Sequence, residues 1–451
     1  MRIALIGPAH PYKGGGARHT TELAHRLAAA GHEVVIESWR AMYPAALYPG
    51  VQTVQEAEGE PYPLTRRLLS WRRPDGWRRA GRRLRKSCDM AVFTFLAPVQ
   101  VPAYITIIRG LRSRVAPGPR VVVICHNVLP HERRPGDVML TRALLRRADA
   151  VLTHTERLAR AALDLAPDTP VRVAGMPPHL PAVPGRGDTV RPAAPLADGP
   201  RPDDREPDGR VPDGREPDGR EPDGREPDGR EPDGRQSDAR QPDGPGLPAA
   251  CAEPVPAGRL SPAPLHLLFF GIVRPYKGLD VLLRAIARTD CGPTLTLTVA
   301  GEFWGGLDTT RALVSELGLD GRVELRPGYV PAGEIGPLLG RADALVLPYR
   351  CATASQNAWL AFSAGVPVIA TRTGTFEEQV SDGVDGFLCE PGDEASLAAA
   401  LARLCEPGVA ARLRAGVRAV VPDALWEAYL DALLAAAAPG PPPGWTGATT
   451  N

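Results

Sequence analysis

Phe269–Asp280 reads FFGIVRPYKGLD. A short apolar run ends at Gly271, Arg274 and Lys277 follow, and Gly278 precedes an amphipathic segment, Leu279–Ala287. The order is that of a buried strand, a tight turn and a helix start. Such a turn points unpaired backbone N–H groups at an anion. An Arg and a Lys at the same turn suit a group with more than one negative charge, such as a diphosphate. The same residues also fit a solvated turn whose Lys faces water.

Around this stretch the scheme repeats. Strand patterns recur at Leu267–Phe270, Thr294–Ala300, Val323–Arg326, Ala344–Leu347 and Val366–Ala370. The first half carries them at Ile3–Ile6, Val34–Ile36, Met90–Phe95, Val121–Cys125, Ala150–Thr153 and Val171–Ala174, with helical spacing between, as at Pro102–Arg114 and Leu140–Arg147. Apolar strands alternating with helices predict an α/β fold of two doubly wound parallel sheets, each covered on both faces. Ligands of such sheets bind beyond the C-terminal strand ends, so two facing domains make a cleft.

Between the halves, XPDGR repeats run back to back from Glu206 to Arg235. Pro and Gly recur in every unit and apolar residues are nearly absent, so the segment is expected to be a disordered linker. The expected organisation is a domain over 1–180, the Pro/Gly-rich linker over 181–264, a second domain over 265–423, an amphipathic helix over 424–438 and a disordered tail over 439–451.

The net charge of +1 conceals an asymmetry, since residues 1–150 hold 24 Lys/Arg against 11 Asp/Glu. Ten cations lie in Arg66–Lys86 around Trp71 and Trp77. That segment fits a solvated helix, or one that lies on anionic lipid. No recognition motif accompanies the charge, so nucleic acid is not an expected partner. The seven cysteines show no CxxC and no zinc spacing, which predicts reduced thiols and a cytoplasmic protein. No leader pattern opens the chain and no run approaches a membrane span.

Three further stretches carry polar chemistry. PYKGGGARHT (Pro11–Thr20) places Gly15 and Gly16 before a helix, where a ligand can approach the backbone. It is neither a dinucleotide GxGxxG nor a P-loop. His126 stands directly after a strand in VVVICHNVLPHE, with His131 and Glu132 read as shaping its loop. Thr353, Ser355, Gln356 and Asn357 crowd a loop before a helical pattern, where hydroxyls and amides cap the helix or bind an anion.

PYKGGGARHT, CHNVLPHE, FFGIVRPYKGLD, AGEFW, RADALVLPYR, AGVPVIATRTGT and DGVDGFL occur in that order over roughly residues 1–180 and 265–436. In this the chain resembles bacterial family 4 glycosyltransferases of the GT-B type. The resemblance implies two Rossmann-like domains with the active site between them. It implies transfer of a hexose from a nucleotide-diphosphate sugar to an acceptor hydroxyl, with retention at the anomeric carbon. Arg274 and Lys277 match the basic pair on the donor diphosphate and His126 the histidine near the donor sugar. Gly15 and Gly16 match the loop approaching donor and acceptor, Gly271 the donor turn, and Glu378 the glutamate of a GGxPE motif. Thr353, Ser355, Gln356 and Asn357 match a hydroxyl-rich loop of one subgroup. The glutamate pair of many members is replaced by Ala352 and Leu360. No cofactor or metal is expected, because the Arg and Lys supply the cationic charge. The expected acceptor is lipid-linked or a cell-envelope glycan, with peripheral docking on the inner face of the cell membrane through Arg66–Lys86. A GT-B epimerase or hydrolase and a non-catalytic basic membrane-bound scaffold are the alternatives.

Overall fold

The computed structural model describes residues 1–43, 52–54, 59–112, 118–130, 133–179, 264–290, 295–352 and 355–438. The XPDGR repeats, His131, Glu132, Thr353 and the tail lie outside the described residues.

The first sheet contains β1 (Arg2–Ile6), β2 (Glu33–Ala41), β3 (Thr65–Ser70), β4 (Met90–Phe95), β5 (Arg120–Cys125), β6 (Ala150–Thr153) and β7 (Val171–Val173), in the order β3-β2-β1-β4-β5-β6-β7. Helices α1 (Gly15–Ala29), α2 (Pro74–Ser87), α3 (Val101–Leu111), α4 (Asp137–Leu145) and α5 (Glu156–Leu165) alternate with the strands. The second sheet contains β8 (Leu265–Phe270), β9 (Leu295–Gly301), β10 (Val323–Pro327), β11 (Ala344–Leu347), β12 (Val368–Thr371) and β13 (Gly386–Cys389), ordered β10-β9-β8-β11-β12-β13. With it run α6 (Leu279–Arg288), α7 (Leu307–Glu316), α8 (Ala332–Gly340), α9 (Asn357–Ser363), α10 (Phe376–Gln379), α11 (Glu394–Cys405), α12 (Val409–Gly416) and α13 (Pro422–Ala437). The strand pairs are parallel throughout, for example Ile3 against Val34 and Met90, and Leu268 against Leu345. The fold is therefore the expected pair of doubly wound α/β sheets, with a switch point between β1 and β4 and another between β8 and β11.

Period-2 alternation divides each sheet between two cores. Ile3, Leu5, Met90, Val92, Val122 and Ile124 face one side of the first sheet. Ala4, Ile6, Ala91, Phe93, Val121 and Val123 face the other. In the second sheet Phe269, Leu297 and Val299 oppose Leu268, Leu345 and Val368 in the same way. The last helix, α13, buries Trp426, Tyr429, Leu430 and Leu433 in the core that holds Ile3 and Leu5, so the end of the described chain returns to the first sheet.

Two strands escape the sequence pattern. β3 is an edge strand whose sequence, TRRLLS, reads as part of a basic segment, and β13 is four residues long. Cys88, Cys125, Cys351 and Cys389 are free thiols, whereas Cys405 is disulfide-bonded, which corrects the expectation of reduced cysteines throughout.

Candidate functional site

Each sheet places a glycine-bearing turn at its switch point, the position where open α/β sheets take ligands. After β8, Gly271 adopts φ +110° and its N–H donates to the Ala300 carbonyl at 2.9 Å. A one-turn 3₁₀ segment, Pro275–Lys277, leads to Gly278, which starts α6 at φ +68°. A side chain at Gly278 would lie 2.0 Å from the Pro348 carbonyl, so the turn after β8 presses directly on the end of β11. Arg350 ties the two together. Its backbone N–H donates to Tyr276 O (2.7 Å), and its guanidinium donates to Pro275 O (2.7 Å) and to both Asp280 oxygens (2.8 and 2.6 Å). Burial alone would raise the Asp280 carboxyl, but the Arg350 guanidinium outweighs it and holds the group below its ordinary range.

Lys277 folds back over this turn. A Cβ built on Gly271 would meet Lys277 Nζ at 3.3 Å and Asn357 Nδ2 at 3.4 Å, so both side chains converge on one bare Cα. Lys277 Nζ lies 4.9 Å from the centre of the Tyr349 ring. Burial works against its charge, yet the Tyr349 and Tyr276 phenols hold the ammonium above the ordinary lysine value. It is therefore a cation at neutral pH. Arg274 lies over Trp304 at 5.2 Å and Tyr276 at 5.9 Å. Its guanidinium packs against both rings.

The loop before α9 is more structural than its composition implies. Asn357 Nδ2 donates to Phe270 O at 2.8 Å, which fixes the end of β8. Gln356 is engaged at both ends of its amide: Oε1 accepts from His179 N (2.9 Å) and Nε2 donates to Pro177 O (3.1 Å). Ser355 Oγ accepts from Asn357 N at 3.3 Å, a local turn contact just before α9. Glu378 lies exposed on the short helix α10. The positions of the absent glutamate pair, Ala352 and Leu360, are buried in the second sheet's core.

After β1, Gly14 (φ +95°) precedes α1. Gly15 faces open space, whereas a Cβ at Gly16 would meet Leu96 Cδ1 at 2.6 Å. Lys13 reaches across to the second sheet's loops. Its Nζ lies 2.5 Å from Glu302 Oε1 and 5.2 Å from the Tyr329 ring centre. The local sequences were conspicuous, but nothing in either one paired Lys13 with Glu302.

His126 emerges at the end of β5 and is buried. It belongs to a cluster the sequence did not reveal. Its Nδ1 lies 3.1 Å from His154 Nε2. His19 Nδ1 lies 3.0 Å from His179 Nε2, and His19 Nε2 lies 3.0 Å from the Tyr429 hydroxyl. Trp426 stacks on His19 and donates its indole N–H to Pro178 O at 3.1 Å. Burial is the main cause that lowers all four imidazoles, well below the ordinary histidine value for His19, His126 and His179 and to about 4 for His154. All four are neutral at pH 7. Among the described residues no three His, Cys, Asp or Glu are grouped to hold a metal. His154 follows β6 as His126 follows β5, and that shared strand-end position was the one signal that could have found it.

Residues 13–175 match the family model Glycosyltransferase Family 4, and residues 264–407 match Glycosyl transferases group 1. The D-inositol 3-phosphate glycosyltransferase of Acidothermus cellulolyticus is 30% identical over 177 residues, 37% of this chain and 39% of that one. Glycogen synthase of Mycobacterium tuberculosis is 32% identical over 185 residues, 40% of this chain and 43% of that one. The match thus spans about two fifths of these curated relatives. Sucrose-phosphate synthase from Thermosynechococcus elongatus shares the fold with a TM-score of 0.61 at 18% identity, over 97% of this chain and 100% of that one. Anabaena HepE, solved in complex with UDP-glucose, gives 0.58 at 15% identity over 96% and 99%. Two family models in chain order on two doubly wound sheets, with a basic turn at the second switch point, lead to one conclusion: the chain belongs to glycosyltransferase family 4, of GT-B fold.

Proposed function

We propose that the protein transfers a hexose from a nucleotide-diphosphate sugar to an acceptor hydroxyl, with retention at the anomeric carbon. The observation that carries this reading is the convergence of Lys277 Nζ and the Asn357 amide on the bare Cα of Gly271, at the end of the second sheet's central strand. A diphosphate fits there: Gly271 lets it approach the backbone, Lys277 meets it as a point charge, and Arg274 adds planar donors.

In this reaction the acceptor oxygen bonds to the anomeric carbon on the face from which the diphosphate leaves. The bond from that carbon to the phosphate oxygen breaks, and the departing oxygen takes the acceptor's proton. Negative charge grows on the diphosphate, where Arg274 and Lys277 stabilise it most. His126 borders the sugar, and the loop of Gly15 and Gly16 approaches donor and acceptor. Thr353 and Ser355 belong to the donor loop, with Glu378 at its rim, while Gln356 and Asn357 hold that loop in place.

The acceptor in this reading is lipid-linked or a cell-envelope glycan, reached by peripheral docking on anionic membrane from the cytoplasmic side. The supporting surface is α2 with the strand before it. Arg78, Arg82, Arg85 and Lys86 are exposed, Leu68 is 56% exposed, and Arg72 lies 5.2 Å over the exposed Trp71. Arg66 and Arg83 are committed instead to the buried Glu37, at 3.7 and 2.7 Å. Among the described residues no helix is long and apolar enough to cross a membrane.

A thermal-shift panel of UDP-, GDP- and dTDP-sugars tests the donor assignment, followed by NMR of the product's anomeric configuration. One class of sugar nucleotide raises the melting temperature, and the product keeps the donor's configuration. No shift with any of them refutes the reading, and turnover that needs no acceptor points to hydrolysis or epimerisation.

A further inference from the structure

His126 carries an atom the site has not explained. Its Nε2 is buried and has no hydrogen-bond partner among the described residues, although a ring nitrogen so placed is costly to leave unpaired. Its other nitrogen is 3.1 Å from His154 Nε2, and His154 Nδ1 is 3.3 Å from the Ala174 carbonyl oxygen. That carbonyl is held by the backbone ladder, since Ala174 N donates to Thr153 O at 2.9 Å.

The protons along this chain can be assigned. A carbonyl only accepts, so His154 carries its proton on Nδ1. A neutral imidazole has one N–H, so His154 Nε2 is a lone pair that must accept. The proton between the rings then belongs to His126 Nδ1, which leaves His126 Nε2 bare. Burial keeps both rings neutral at pH 7. The opposite assignment would leave a buried His126 Nε2–H without an acceptor among the described residues. It would also set the His154 Nδ1 lone pair against the Ala174 carbonyl, which is repulsive.

We propose that His154, anchored on the Ala174 carbonyl, is a positioning residue that locks His126 in the tautomer presenting an unprotonated Nε2, so that the site accepts a hydrogen bond from a sugar hydroxyl and disfavours a deoxy carbon or a carboxylate at that contact. The sugar part rests on the reading that His126 borders the transferred hexose; the tautomer does not. Loss of one such hydrogen bond reads as about tenfold in kcat/KM.

The test begins with the full-length protein labelled with ¹⁵N-histidine. Two-bond ¹⁵N–¹H spectra distinguish protonated from bare ring nitrogens, and a His126→Asn spectrum identifies the His126 signals. A bare Nε2 on His126 and a protonated Nδ1 on His154 are expected, and a protonated His126 Nε2 overturns the lock. Next, kcat/KM is compared for the sugar nucleotide that stabilises the protein most in the panel and for its 2-, 3-, 4- and 6-deoxy analogues. Wild type should lose about tenfold with one analogue, and folded His154→Phe should lose that discrimination. Discrimination intact in His154→Phe overturns the positioning role. A bare Nε2 with no analogue discriminated overturns the sugar contact while the tautomer stands.

Discussion

The Lys13–Glu302 pair joins loops from the two sheets, and its two partners are not equally sheltered. The Lys13 side chain is 5% exposed and that of Glu302 18%, at 2.5 Å. At an effective dielectric constant near 20, two unit charges at that distance attract by about 7 kcal/mol, most of which offsets desolvation. Glu302→Gln leaves the buried ammonium facing a neutral amide oxygen and the Tyr329 ring, so it should cost about 3 kcal/mol. Lys13→Met removes the buried charge and keeps the apolar stem, while the remaining carboxylate can reach water, so about 1 kcal/mol is expected. For a domain of this size those values lower the melting temperature by roughly 6–12 °C and 2–4 °C. In the double variant no stranded charge remains, so its cost should approach that of Lys13→Met and give a coupling of about 3 kcal/mol. Calorimetry on the four proteins measures this, with the transition midpoints compared at one scan rate. Additive effects, or a larger loss for Lys13→Met than for Glu302→Gln, would refute the reasoning.

Other outcomes follow from single contacts. In α2, a methyl at Gly81 would lie 2.4 Å from Ile107 O and 2.9 Å from the Gly110 Cα, both backbone atoms of α3, so Gly81→Ala should cost about 3 kcal/mol. In the same helix Gly76→Ala meets nothing closer than Leu68 O at 3.6 Å and should gain about 0.5–1 kcal/mol; urea unfolding that gives both the same sign would contradict this. The buried histidines make stability acid-sensitive. Their folded values lie below the unfolded one near 6.5, so the contribution is complete above that pH and is lost as pH falls through the folded values. His154 alone, lowered to about 4, accounts for about 3 kcal/mol by pH 4, and a flat urea midpoint from pH 7 to 5 would count against it. Turnover should persist in EDTA, because Arg274 and Lys277 supply the charge opposite the diphosphate; a strict divalent-metal requirement would contradict that assignment.

What the sequence disclosed was local. β1 and β8 were legible because an apolar run, a glycine turn and an amphipathic helix are contiguous, and the same contiguity singled out Arg274, Lys277 and the Gly-rich loop. β3 was hidden because an edge strand needs little burial and its cations read as a surface segment. Lys13 and Glu302 are 289 residues apart, and His19 and Tyr429 are 410 apart. No spacing rule connects such pairs; only the closing of the sheets does. Gln356 shows the converse limit. Its loop reads as ligand-binding by composition, yet its amide serves the backbone of Pro177 and His179, a partner chosen by tertiary packing.

The central claim is that Lys277, beside Gly271, holds the donor's diphosphate. Titration calorimetry of wild type and Lys277→Met with UDP and UMP, GDP and GMP, and dTDP and dTMP tests it directly. A hydrogen bond to a charged group contributes about 1.5–3 kcal/mol. Wild type should therefore prefer the diphosphate of its own base by at least about tenfold, and Lys277→Met should lose about tenfold or more of that preference while its affinity for the monophosphate barely changes. An unchanged diphosphate preference in Lys277→Met would contradict the account.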